Sequence, residues 1–261
     1  MLDLTRTEPV KIMIASPAGG ENIKLSYMVS VIGLLGSISP QDATLAYLPI
    51  PGSNIAENQN TIVREARKAA ADYVLLVETD MSVPKHALAQ LLSHQKDIVG
   101  CTYPYKDADL LAKVIRGDKV TLRYMGHEIG ASPITINGLI KGEPLRTVDF
   151  LPMGLMLISM RAFDAVVALR TADALERGAP AGKSASPFFH PDIYPDDSPH
   201  GLVSTTDSAF CRTAIEAGFD VWLDARLSLQ IGHHGDCAYG LLPDEAPNPV
   251  KELQDKVANE L

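Results

Sequence analysis

The chain is poor in several features that would place a protein in a class at once. It has three cysteines, Cys101, Cys211 and Cys237, an odd count with no CxxC pair. Neither a disulfide framework nor a zinc ribbon is indicated. No apolar run approaches the roughly 20 residues that span a bilayer, so no transmembrane segment is expected. The stretch Met1-Leu2-Asp3-Leu4-Thr5-Arg6 lacks the basic and apolar regions of a signal peptide, and cytoplasmic residence is the expectation. Basic charge is scarce: 23 Lys and Arg stand against 32 Asp and Glu, for a net charge of −9. That balance disfavours nucleic acid or anionic membrane as partners, although it describes only the average surface. The one modest basic cluster, Lys113, Arg116, Lys119 and Arg123, reads as a solvated face. The GxGxxG of a dinucleotide-binding turn is missing too, because Pro17-Ala18-Gly19-Gly20 does not supply it. There are no repeats or low-complexity tracts.

What is present is an ordinary globular composition, 46% hydrophobic and 21% charged over 261 residues, enough for a substantial core. Strands and helices alternate through the first hundred residues. Val10 to Ala15 reads as a strand broken at Pro17, Gly19 and Gly20, followed by a helix over about Lys24 to Leu35 and a strand over Thr44 to Ile50. Apolar residues at Ile62, Val63, Ala66, Ala69 and Ala70 have helical spacing within Asn58 to Ala71. Tyr73 to Val77 reads as a buried strand, with a helix opening at Ser82-Val83-Pro84 and a strand over Asp97 to Gly100. This βαβαβαβ order predicts a mainly parallel sheet with helices on both faces.

From about Cys101 to Ile158 the pattern turns to short β-rich runs, including Val120 to Met125 and Pro133 to Ile140. Val148 to Phe150 and Leu155 to Ser159 read as strands around Gly154. Helices are expected over Ala162 to Leu169 and Asp207 to Ala217, strands over Val221 to Asp224 and Leu227 to Ile231, and a polar terminal helix over Pro249 to Leu261. Gly178 to Gly201, dense in Pro, Gly, Ser and Asp, is a long loop of the kind that serves as a lid or binding loop.

The chemistry concentrates where the apolar run Tyr73 to Val77 stops on Glu78-Thr79-Asp80. Acids at the carboxyl end of a buried strand stand where open α/β sheets keep their ligand crevice. In an extended chain residues i and i+2 point the same way, so Glu78 and Asp80 can offer two hard oxygen ligands to one divalent cation, Mn²⁺ or Mg²⁺. The competing reading is a solvated loop after a strand.

Four blocks then resemble the GT-A-fold glycosyltransferases, in particular the large inverting family that uses nucleotide-diphosphate sugars. Ile55 to Val63, with Gln59-Asn60, is similar to that family's "ARN" helix start. Tyr73 to Asp80 with Met81-x-x-Pro84 looks like its DxD strand. Val148 to Ile158 resembles the strand-Gly-strand on the acceptor side. Ser204 to Arg212, Ala217 to Trp222 and Gly232-His233-His234-Gly235 look like its "ED-x-x-F-C…H-x-G" segment. The resemblance implies one GT-A (Rossmann-like) domain over 1–261. Its nucleotide-sugar half would span about 8–100, its smaller β-rich acceptor half about 101–240, and its tail 241–261.

The same resemblance implies a UDP- or GDP-sugar donor and a hydroxyl acceptor. Glu78, Asp80 and His233 would hold the cation that offsets charge growing on the leaving diphosphate, and Asp207 would be the general base. The competing readings are a first-turn aspartate that stabilises its helix for Asp207 and a loop histidine for His233. Ser16, Ser53, Gln59, Asn60 and Asp80 complete the donor-binding set; for Ser16 and Ser53 an ordinary turn fits as well. Three positions depart from the family pattern: Glu78 replaces an Asp, Gln59 an Arg and Thr206 a Glu. Those departures motivate a catalytically degenerate sugar-nucleotide-binding relative as the alternative. A nucleotidyltransferase is weaker, because Ala18-Gly19-Gly20-Glu21-Asn22 has no following Thr-Arg. A metal-dependent hydrolase on His233, His234, Asp236 and Cys237 is weaker again, because adjacent histidines in an extended segment point apart.

Overall fold

The computed structural model describes residues 8–18, 23–106, 122–176, 205–235 and 238–239. Lys113, Arg116, Lys119, the Gly178–Gly201 loop, Asp236, Cys237 and the Pro249–Leu261 helix lie outside these residues. The strands are β1 Val10–Ala18, β2 Ala43–Pro51, β3 Tyr73–Val77, β4 Met81–Ser82, β5 Ile98–Gly100, β6 Leu145–Val148, β7 Leu155–Ser159, β8 Val221–Asp224, β9 Gly232–His234 and β10 Ala238–Tyr239. The helices are α1 Leu25–Leu35, α2 Ile55–Lys68, α3 Ala87–Ser93, α4 Ile136–Lys141, α5 Met160–Glu176, α6 Thr206–Glu216 and α7 Ala225–Ser228.

Seven strands form one sheet in the order β2-β1-β3-β7-β5-β8-β6, and a three-stranded sheet runs β10-β9-β4. β1, β2, β3, β5 and β8 share one direction, while β7 and β6 run against their neighbours. This is a mixed α/β, Rossmann-like architecture with a mainly parallel central sheet.

Alternation along β3 explains why both faces are covered. Val74 and Leu76 pack with α2, α5 and α6 through Ile62, Phe163 and Phe210. Leu75 and Val77 point the other way, onto Tyr27 and Leu34 of α1 and Leu88 and Leu91 of α3. All four strand side chains are fully buried, each stabilising the fold by about 1.5–3 kcal/mol relative to exposure. Caps set the helix starts: Asn54 accepts from Glu57 N at 3.2 Å for α2, and Thr205 from Ser208 N at 3.3 Å for α6.

Several boundaries depart from the sequence reading. β1 runs through Pro17, whose partner is Ile50 of β2. Its pairing with β3 ends at Ala15–Leu76, so the missing Pro17 N–H falls where one neighbour has already departed. The helix expected from Pro84 starts at Ala87, after the short β4. Pro133 to Ile140 is partly helical rather than β, because Thr135 caps α4 by accepting from Gly138 N at 3.1 Å. Leu227 to Ile231 is not a strand. Asp224 accepts from Leu227 N at 2.8 Å and starts α7 instead. The strand expected at Val148 to Phe150 lies earlier, at β6.

Candidate active site

The site forms where β3 ends. Beyond Val77 the chain turns rather than staying extended, and Met81 N donates to Glu78 O at 3.1 Å. The two acids therefore leave a turn and not the extended segment expected, and each meets its own partners. Glu78 accepts a long hydrogen bond from the Tyr103 hydroxyl at 3.5 Å. Asp80 pairs with the Lys106 ammonium and has His233 Nε2 at 3.5 Å from Oδ2.

The small sheet delivers His233. β9 pairs antiparallel with β4, setting His233 opposite Met81 and beside Asp80, and His234 N donates to Asp80 O at 2.7 Å. His233 is buried, its ring edge-on to Tyr103 with centroids 4.8 Å apart. Its Nδ1 lies 2.9 Å from the Pro104 carbonyl. A carbonyl only accepts, so Nδ1 is the donor and Nε2 is the nitrogen left facing Asp80. His234, on the other side of the strand, is half-buried, and burial lowers its pKa.

Asp207 enters from the first turn of α6. Its Oδ2 accepts from Met153 N at 3.0 Å and its Oδ1 from Thr206 Oγ1 at 3.0 Å, and the Gln59 side chain also bonds it. Burial raises its pKa above the ordinary carboxylate range despite those bonds. Glu78 feels the same pressure. Burial first, then the charges of Asp207 and Asp80, push its pKa up to about 8. Burial would also raise Asp80, but the hydrogen bonds and charge of His233 and Lys106 outweigh it and hold that carboxyl at about 2. The site thus sets one carboxylate firmly ionised beside two that resist sharing negative charge.

Gln59 and Asn60 of α2 are buried. Gln59 Nε2 is also 3.7 Å from Met153 Sδ, so it contacts both Asp207 and the residue whose backbone N–H donates to Asp207. Ser16 is buried near the end of β1 under the Tyr27 hydroxyl, and Ser53 is exposed in the turn after β2. Neither serine meets the acid cluster through any described hydrogen bond.

Tyr103, Pro104 and Lys106 escaped the sequence reading, although Thr102-Tyr103-Pro104-Tyr105-Lys106 begins one residue after β5 ends, where a crevice-facing segment is expected. The Tyr103 hydroxyl also receives Gly154 N at 2.9 Å. A Cβ on Gly154 would run into that same hydroxyl and ring, so this backbone approach requires glycine.

Among the described residues, no three His, Cys, Asp or Glu side chains form a ready ligand cluster. The donor set nonetheless suits a divalent cation at its Asp80–His233 edge. Asp80 Oδ1 is buried with no hydrogen-bond partner among the described residues, and His233 Nε2 facing a carboxylate needs a proton or cation between them. The Pro104 contact supplies the outer hydrogen bond that orients ligating histidines.

The chain matches no protein-family model and no curated protein. Among solved structures it is similar to A197 from STIV, at 11% identity over 91% of this chain and 97% of that one, with a TM-score of 0.45. It is also similar to mannose-1-phosphate geranyltransferase from Thermus thermophilus, at 13% identity over 68% and 67% of the two chains, with a TM-score of 0.34. Likenesses of that grade carry no argument about activity.

Proposed function

We propose that this chain is a divalent-metal-dependent glycosyltransferase of GT-A type that uses a UDP- or GDP-sugar and inverts the anomeric centre. One observation carries the reading. Glu78, Asp80, His233 and Asp207 come from three distant stretches and gather at the carboxyl end of β3, with Asp80 Oδ1 buried and unpartnered among the described residues.

Asp80 and His233 would hold Mn²⁺ or Mg²⁺, with Glu78 joining once its carboxyl loses its proton. The bound cation would offset the charge that grows on the diphosphate as it leaves. Asp207 takes the proton of the acceptor hydroxyl, whose oxygen bonds to the anomeric carbon as that carbon's bond to the diphosphate breaks. A carboxylate with a raised pKa is a stronger base than a solvated one, and the contacts from Met153, Thr206 and Gln59 fix its direction. In this reading Gln59 and Thr206, the two departures from the family pattern, position Asp207.

The test is Asp80→Ala, assayed by calorimetric titration of UDP and GDP in Mn²⁺. The substitution should abolish metal-dependent binding. Wild-type affinity in the variant would remove Asp80 from the site.

A further inference from the structure

A cavity of about 600 Å³ is lined by residues that the proposed chemistry does not use, among them the neighbour in sequence of Lys106, which pairs with Asp80. Tyr105, which lies between Pro104 and Lys106, lines one end. The adjoining stretch from Leu122 supplies the wall, held by hydrogen bonds from Tyr105 N to Arg123 O at 2.8 Å and from Met125 N to Tyr103 O at 2.9 Å. Leu122, Tyr124 and Ile134 make it largely apolar and aromatic. Its size and composition are those of a small-molecule site.

Its polar features point to one ligand chemistry. Among the described residues no Asp or Glu lines the cavity, although acids outnumber bases in the chain as a whole. Of the described acids nearby, Glu128 pairs with Arg146 at 2.6 Å, and Asp149 accepts from Gly130 N at 2.8 Å. Arg123 is exposed, stacks 5.4 Å from the Tyr105 ring centroid, and has no carboxylate partner among the described residues. Tyr124 is buried, and its hydroxyl has no hydrogen-bond partner among the described residues.

We propose that this cavity is the acceptor subsite and takes an amphipathic acceptor, an aromatic body carrying one anionic group. The aromatic body lies against Tyr105, Leu122 and Ile134, while Arg123 meets the anion. A ligand oxygen supplies the Tyr124 hydroxyl with its missing partner. The acceptor role rests on the transferase reading above; the binding chemistry does not.

The experiment therefore uses neither metal nor nucleotide. 1-Anilinonaphthalene-8-sulfonate is titrated by fluorescence into the full chain in EDTA, then displaced with 1-naphthyl phosphate, 1-naphthaleneacetate or neutral 1-naphthol. Wild type should bind the probe one to one, and an anionic competitor should displace it about tenfold better than the naphthol. Whichever of phosphate and carboxylate displaces better identifies the anion. Arg123→Ala should erase the preference for anions and leave naphthol unchanged, and Tyr105→Ala should weaken all three. Both side chains are exposed, and unchanged circular dichroism would confirm that the variants fold. Equal affinities in wild type and both variants, or naphthol competing as well as the anions, would overturn the proposal. Because no metal or diphosphate is present, failure here leaves the transferase reading standing, and failure of UDP and GDP to bind leaves the cavity standing.

Discussion

Replacing Glu78 by glutamine should stabilise the metal-free protein at alkaline pH. The Glu78 carboxyl is raised from its ordinary 4.5 to about 8 by burial and by the charges of Asp207 and Asp80. In the unfolded chain the group ionises near 4.5, so between that value and about 8 the folded state holds a proton that the unfolded state has released. The sign follows: the stability associated with this proton is complete below 4.5 and is lost as pH rises through about 8. The full interval corresponds to about 5 kcal/mol at about 1.36 kcal/mol per unit. Because Asp207 relaxes when Glu78 takes the proton, the expected loss between about pH 5 and pH 8 is about 2–5 kcal/mol.

Glutamine keeps the shape and cannot ionise, so Glu78→Gln should flatten most of that slope. Urea unfolding in EDTA, followed by fluorescence of Trp222, the chain's one tryptophan, measures this at pH 5, 6.5 and 8. With Mn²⁺ the order should reverse at pH 8. The cation favours the ionised glutamate in wild type and finds a weaker ligand in the variant. Parallel stability profiles for the two proteins in EDTA would refute the reasoning, because Glu78 would then not be the strained carboxyl.

Three further outcomes follow from the contacts. Asp207→Asn should leave metal-dependent diphosphate binding intact while lowering sugar transfer about 10²- to 10⁴-fold; unchanged turnover would rule Asp207 out as the base. Gly154→Ala drives a Cβ into Tyr103 and should cost about 1–3 kcal/mol of stability in urea. It should also weaken Mn²⁺ binding by calorimetry, since Tyr103 touches both Glu78 and His233. Asp224→Ala removes acceptors for Gln90 Nε2 at 2.7 Å, His94 Nε2 at 2.8 Å and Leu227 N at 2.8 Å from a buried position. It should cost about 3 kcal/mol in the same urea assay without touching diphosphate affinity.

The first half of the fold was legible because its signals are local. Five apolar residues from Tyr73 to Val77 with no polar alternation mean a strand covered on both faces, and Ile62, Val63 and Ala66 mark one side of a helix. The place of β7 was not legible. Leu155 to Ser159 reads as a strand, but its antiparallel insertion between β3 and β5 is decided by distant pairings such as Val74–Ile158 and Ile98–Ile158. α4 and α7 were missed because single caps, Thr135 and Asp224, redirect segments whose composition favours strand.

In the site, Glu78 and Asp80 were nominated because they end a buried strand, and His233 and Asp207 because they match the family pattern. Lys106 and Tyr103 were not, since a lysine or tyrosine acquires a role only from what the fold sets against it. Gln59 was placed on the right helix, but its contact with Asp207 depends on how α2 and α6 pack around Met153.

The most direct test of the cation-and-diphosphate site is calorimetric titration of wild-type protein with UDP and with GDP, each in Mn²⁺ and in EDTA. The account predicts saturable binding of one of them that EDTA abolishes. Binding of neither, or equal affinity with and without the cation, would contradict it.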